Sequence, residues 1–94
     1  MEQMGLHIWV SGKVQGVYFR ETLRKVAEKL LVSGWVKNLT DGRVEIKAFG
    51  EKTRIDQLLE YCRQGPVLAR VEKIEVEAIS LEAADGFSVM REDL

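Results

Sequence analysis

Apolar residues along this chain pass twice from a strand period to a helical one and back, and the order of the switches limits the folds open to it. Leu6, Ile8 and Val10 alternate with His7, Trp9 and Ser11, the period of a half-buried strand. The glycines at 12 and 16 interrupt that pattern. From about Phe19 the spacing changes: Leu23, Val26, Ala27 and Leu30 fall at i, i+3, i+4 and i+7, with Arg24, Lys25, Glu28 and Lys29 on the other face. That is the stripe of an amphipathic helix. Gly34 reads as the end of this helix and Trp35 to Leu39 as a second strand. Thr40-Asp41-Gly42-Arg43 reads as a hairpin turn, since Asp-Gly supplies the positive φ that tight turns need. Val44, Ile46 and Ala48 then alternate with Glu45, Lys47 and Phe49 in a third strand, punctuated by Gly50. Ile55, Leu58, Leu59 and Cys62 repeat the helical stripe, and Gly65-Pro66 stops it, because Gly suits a left-handed cap and Pro cannot continue a helix. Ile74, Val76 and Ala78 alternate with Lys73, Glu75 and Glu77 in a fourth strand, and Phe87 to Met90 add a short fifth.

The order β-α-β-β-α-β predicts an α+β, ferredoxin-like sandwich: a split βαβ unit repeated twice, with two helices on one face of an antiparallel sheet. The first and second strands then run parallel with the third between them, so their carboxyl ends share one edge of the domain. The 94 residues suit a single domain covering 1–94.

Hydrophobic residues make up 46% of the chain, charged residues 31%, and the net charge is −1. This apolar content excludes a disordered chain, and the balanced charge argues against a dedicated nucleic-acid binder, which carries a basic stripe. The single cysteine, Cys62, excludes a disulfide framework and any CxxC motif; it lies on the apolar stripe of the second helix and is expected in the core. No basic segment followed by an apolar stretch opens the sequence and no apolar run approaches a membrane span. The expectation is a cytoplasmic monomer without a membrane partner.

The segment Ser11-Gly12-Lys13-Val14-Gln15-Gly16-Val17-Tyr18-Phe19-Arg20 leaves a strand, crosses two glycines and enters a helix at an arginine. Such a loop aims several free backbone N–H groups, and the positive end of the helix dipole, at one point. Arg20 adds a planar guanidinium able to hold two phosphoryl oxygens. From the residues alone a plainer reading stands beside this one, in which the glycines only turn the chain and Arg20 is a solvated first-turn residue. The loop is neither a Walker A motif nor GxGxxG.

The run Gly12 to Arg20 resembles the acylphosphatase signature G-x-V-Q-G-V-x-F-R, with Tyr18 in a variable slot. Gly34-Trp35-Val36-Lys37-Asn38, then Asp41-Gly42-Arg43-Val44-Glu45, and finally Gly65-Pro66 with Ala69-Arg70-Val71 resemble further blocks of that family, in its order, over about Leu6 to Met90. The resemblance implies hydrolysis of acyl phosphates to carboxylate and inorganic phosphate. It implies that Gln15, Gly16, Val17, Tyr18, Phe19 and Arg20 bind the phosphoryl group and that Asn38 positions the attacking water. Inorganic phosphate, the product, is expected to inhibit.

An acyl phosphate expels a carboxylate of low pKa, so little acid help is needed, which suits a chain without an obvious acid, base or nucleophile. His7 precedes the loop and reads as a surface or packing histidine. No HxH, HExxH or carboxylate cluster has metal-ligand spacing, so neither metal nor cofactor is expected. Two rivals remain: a non-catalytic anion-binding module of the same family, and a ferredoxin-like RNA-binding module. The latter needs an aromatic, basic third strand, whereas Arg43 to Phe49 offers one aromatic and an acid.

Overall fold

A computed structural model describes residues 2–91 of the chain. The elements are β1 (Gln3–Lys13), α1 (Phe19–Lys29), β2 (Ser33–Asn38), β3 (Val44–Glu51), α2 (Lys52–Gln64), β4 (Arg70–Ile79) and β5 (Phe87–Val89). They form the ferredoxin-like α+β sandwich expected from the order, with strands arranged β4-β1-β3-β2-β5. β3 lies between β1 and β2, antiparallel to both, with Val10 opposite Val44 and Asn38 opposite the same Val44. The carboxyl ends of β1 and β2 therefore meet at one sheet edge, flanking the start of β3.

The even-numbered residues of β1, Leu6, Ile8 and Val10, turn to the helices and are buried with Val36, Val44, Ile46 and Ala48 from the neighbouring strands. Leu23 and Ala27 of α1 and Ile55, Leu58 and Cys62 of α2 cover them, each fully buried. Each buried Leu or Ile side chain stabilises the fold by about 1.5–3 kcal/mol relative to exposure. α1 packs on β2 and β5, and α2 on β1, β3 and β4. Burial pushes the Cys62 thiol up to about 12, so it is an inert core residue, as its place on the apolar stripe suggested.

The sequence-based reading needs correcting in five places. The sheet is mixed, not antiparallel throughout, because β5 lies beside β2 and parallel to it, with Val36 opposite Val89. Gly34 does not end the first helix; Leu30 and Leu31 do, Leu31 in the left-handed conformation at φ 57. Gly34 sits inside β2 at φ 136, where a Cβ would lie 1.9 Å from the Lys47 carbonyl oxygen. A glycine required by close approach of two strands looks the same in sequence as a helix-stopping one.

The other three concern strand limits and faces. β1 runs on through Gly12 to Lys13, with a bulge against β4 at Ser11/Gly12, and β3 runs past Gly50 to Glu51. Phe49, expected on the wet face, is buried because its ring lies over the bare Cα of Gly5, its partner in register. On β4, Val76 and Ala78 point to the helix side yet stay exposed, because this edge strand extends beyond the helices' cover; Ile74 and, past the bulge, Val71 are half-buried against the core. On the opposite, open face His7 stacks on Trp9 at 3.9 Å between ring centroids, meets Trp35 edge-on, and pairs with Glu45 at 2.6 Å. It packs, as expected, and stands apart from the β1–α1 loop.

Candidate active site

Three apolar side chains pin the chain between β1 and α1: Val14, Val17 and Phe19 are all buried, while Gly16 and Tyr18 are exposed. Pinning alternate side chains inward turns the intervening backbone outward. Gly16 and Tyr18 both have positive φ, 73 and 65, whereas Val17 and Phe19 do not. This alternation of handedness curls successive N–H groups toward a common centre, which is the geometry of an anion-binding nest. Tyr18 holds the left-handed conformation as the N-cap of α1 without glycine's freedom, a conformation that costs a non-glycine residue about 1 kcal/mol or more. Its carbonyl accepts from both the backbone N–H (3.1 Å) and the hydroxyl of Thr22. Among the described residues, no backbone N–H from Gly16 to Arg20 donates a hydrogen bond. Five adjacent donors at the positive end of a helix thus face outward together.

Arg20 is half-buried in the first turn of α1. Among the described residues its guanidinium makes no hydrogen bond or ion pair. This sets it apart from Arg24 one turn on, which Glu21 (2.5 Å) and Glu28 (2.7 Å) hold from both sides. Arg20 lines a cleft of about 460 Å³ together with Gly16, Tyr18, Phe19, Glu21 and Val89. The Arg24 guanidinium hydrogen-bonded to Glu21 holds that carboxyl below the usual value of 4.5, so the acid at the cleft's rim is ionised and already paired.

Asn38 closes β2. It shares the parity of Gly34 and Val36, so it faces the helices, and it is 7% exposed. Its Oδ1 is buried with no hydrogen-bond partner among the described residues. Such a group costs about 1–3 kcal/mol when left unsatisfied, so it needs a partner from outside the chain, a water or a ligand. Asn38 does not line the cleft that holds Arg20; it ends β2, at the same sheet edge as the end of β1.

Gln15 plays a part the sequence did not reveal. Its Nε2 donates to the carbonyl oxygens of Leu39 (2.8 Å) and Arg43 (2.9 Å). The side chain is thus spent on bracing the loop against the β2–β3 turn, which Asp41 stiffens by accepting from the Arg43 N–H (3.1 Å) and Nε (2.9 Å). The backbone N–H of Arg43 beside Asp41 also holds that carboxyl below its ordinary value. For an anionic ligand Gln15 then has only its backbone N–H to donate. Val17 faces the core and a second groove. Of the predicted residues, the fold brings Gly16, Tyr18, Phe19 and Arg20 to one cleft, while Asn38 ends β2 and Gln15 is tied to the β2–β3 turn. Val89, a wall of the cleft, carried no signal in sequence, because β5 is brought there only by parallel pairing with β2. Asn38 did carry one: it falls in step with Val36, on the buried face.

The domain is a ferredoxin-like sandwich whose first helix opens, among the described residues, on N–H groups and an arginine without partners, chemistry suited to a small anion. The family model of acylphosphatase matches residues 6–89. An acylphosphatase of Rubrobacter xylanophilus is 54% identical over 85 residues, spanning 89% of this chain and 77% of that protein. One of Gloeobacter violaceus is 47% identical over 85 residues, spanning 90% and 91%. The solved structure of an acylphosphatase from Coxiella burnetii matches with a TM-score of 0.90 at 46% identity, covering 94% of this chain and 93% of that one. The chain belongs to the acylphosphatase family, and as an enzyme of that family it hydrolyses small acyl phosphates. No helix among the described residues is long and apolar enough to cross a membrane.

Proposed function

We propose that the enzyme cleaves the carboxyl–phosphate bond by direct attack of one water, without metal or covalent intermediate. The observation that carries this reading is the pairing of two unsatisfied groups at one sheet edge: the free N–H groups and guanidinium of Gly16 to Arg20, and the buried, unpartnered Oδ1 of Asn38. The first set binds the phosphoryl oxygens; the second accepts a hydrogen bond from the water and holds it in line. As the water oxygen bonds to phosphorus, the bond to the acyl oxygen breaks and its electron pair leaves with the carboxylate. A non-bridging phosphoryl oxygen takes the water's proton. Stabilisation of charge on the equatorial oxygens and placement of the water supply the catalysis.

Among the described residues no three His, Cys, Asp or Glu side chains group so as to hold a metal ion, and the loop supplies the positive field in its place. The test is phosphate release from acetyl and benzoyl phosphate in excess chelator, with inorganic phosphate as competitive inhibitor. Loss of activity on chelation, restored by a divalent ion, would overturn the metal-free reading. Phosphate binding without hydrolysis would leave an anion-binding module.

A further inference from the structure

Two cations face each other at the cradle end of the sheet. Lys13 closes β1, Arg70 opens β4, and the two are directly opposite in the antiparallel register. Opposed Cα atoms of such strands lie about 5 Å apart, and like charges so placed destabilise a sheet. Both residues are exposed, and among the described residues neither makes a hydrogen bond or an ion pair. They share a face: Val71, next to Arg70, packs on the core opposite Gly12, so Arg70 and Lys13 stand on the open side of the sheet.

Nearby cations are handled differently. Lys73 is held by Glu75 at 3.4 Å, and Arg43 by Asp41 at 2.9 Å. Acids are not scarce, since 15 Asp and Glu face 14 Lys and Arg in the sequence. Even Glu72, the extra residue of the β4 bulge, is exposed beside Arg70 and pairs with neither cation. A repulsive pair left uncompensated in this way is a local conflict with stability, and such conflicts gather where function needs them.

The place of the pair says what it serves. Only Val14, which lines the Arg20 cleft, and Gln15 separate Lys13 from Gly16, where the free N–H groups begin. Three Cα steps span at most about 11 Å. That is about one screening length at ~0.1 M salt and roughly a third of one at ~0.01 M, so a phosphoryl dianion approaching the cradle feels both charges.

We infer that Lys13 and Arg70 form an electrostatic guide for the substrate: their field concentrates acyl phosphate dianions at the mouth of the cleft, and the pair takes no part in breaking the bond. The inference rests on the reading of the cradle of residues 16–20 given above. Two unit charges about 12 Å from a dianion in water change its local concentration roughly fivefold at ~0.01 M salt, and one charge about twofold. At ~0.15 M the effect of both is under about twofold, and at ~1 M it vanishes.

The experiment follows kcat and kcat/KM for acetyl phosphate, competitive inhibition by inorganic phosphate, and the melting temperature. It compares the wild type with Lys13→Gln, Lys13→Glu and the double variant Lys13→Gln/Arg70→Gln between about 0.01 and 1 M salt. At the lowest salt kcat/KM should fall about twofold in Lys13→Gln and about fivefold in Lys13→Glu and the double variant, with phosphate inhibition weakened in step and kcat unchanged. At about 1 M salt all four proteins should converge. The melting temperature should hold or rise, most of all in Lys13→Glu, whose new carboxylate faces Arg70. A fall in kcat, a loss that persists at high salt, or equal losses in Lys13→Gln and Lys13→Glu would overturn the guide and leave the cradle standing. So would unchanged kcat/KM at the lowest salt, or a lowered melting temperature, which would make Lys13 a prop of the fold. A wild type that neither hydrolyses acetyl phosphate nor binds phosphate would overturn the cradle and the guide with it.

Discussion

The chain passes from strand to helix twice on the same side of the sheet, and the two crossings are built differently. Between β1 and α1 the backbone makes a loop of residues 14–18, with two left-handed residues, one of them the helix cap. Between β3 and α2 there is no loop: Glu51 ends the strand in extended conformation and Lys52 begins the helix. There the Lys52 N–H donates to the Glu2 carbonyl at 2.9 Å, and the Thr53 hydroxyl to the Glu51 carboxylate at 2.7 Å. The second crossing thus ties the first N–H of its helix and one hydroxyl to the chain's own acceptors. The first leaves five N–H groups free and stations Arg20 beside them. Both junctions turn the chain; only the first accepts left-handed backbone, and such local conflict with stability marks sites kept for binding.

The strongest way to break this contrast is Arg20→Lys. The charge stays, but a point donor replaces a planar fork. Because the guanidinium grips ground state and transition state alike, kcat/KM should fall by roughly 10³-fold or more, with both KM and kcat affected. The residue lies off the Leu23–Ala27 core stripe, so the melting temperature without ligand should hardly move. Phosphate at a hundredfold over Kd should stabilise the wild type by about 2.7 kcal/mol by mass action and the variant far less. A variant that kept its activity and its protection by phosphate would place the anion elsewhere.

Asn38→Ala should separate the two halves of the site. Turnover should drop roughly 100- to 1,000-fold, the usual cost of one positioned polar group, while phosphate inhibition stays nearly constant because the cradle is intact. Loss of phosphate binding in equal measure would make Asn38 part of the cradle instead.

How far these roles could be read from sequence differs between the two sides of the loop. The helices and strands were legible because each holds its period for seven residues or so, and the Gly12–Arg20 run pointed to an anion site through its glycines and arginine. The bracing role of Gln15 was not, since its partners, Leu39 and Arg43, are 24 and 28 residues away. Nor was the parallel placement of β5, which three residues pairing with β2 decide. Alternation on β4 marked a strand and left the exposure of Val76 and Ala78 open, because sequence period reports which way a side chain faces and not whether anything covers it.

Gln15 offers a third test, smaller in rate and larger in stability. Gln15→Ala strips a donor from the Leu39 and Arg43 carbonyls; the latter still accepts from the Leu39 N–H at 2.8 Å. The expected loss is about 1–3 kcal/mol, or about 4–8 °C in melting temperature per kcal/mol for a domain of this size. Activity should fall about tenfold as the loop loosens. Thr53→Ala, at the second crossing, should cost under about 0.5 kcal/mol and leave the rate alone. Equal effects would mean that the first junction is no more specially braced than the second.

The smallest effect concerns the one acid in the first turn of α1. Glu21 lines the Arg20 cleft, while α2 has no acid in its first turn. A carboxylate there answers the helix dipole but also competes with the bound anion. Arg24 partly cancels it, and this pairing keeps Glu21 ionised to lower pH than its ordinary 4.5. Its contribution to stability is therefore complete above that value and is lost only as pH falls through the lowered one. Glu21→Gln removes the negative charge and keeps the shape. Phosphate should then bind about two- to threefold more tightly at low salt, the size expected of a single exposed charge pair. The gain should fade as salt approaches about 1 M, where the screening length is about 3 Å. An unchanged affinity at low salt would show that Arg24 already neutralises the rim. Weaker binding would show that Glu21 helps to hold Arg20 in place, and the first crossing would then depend on its acid as much as on its arginine.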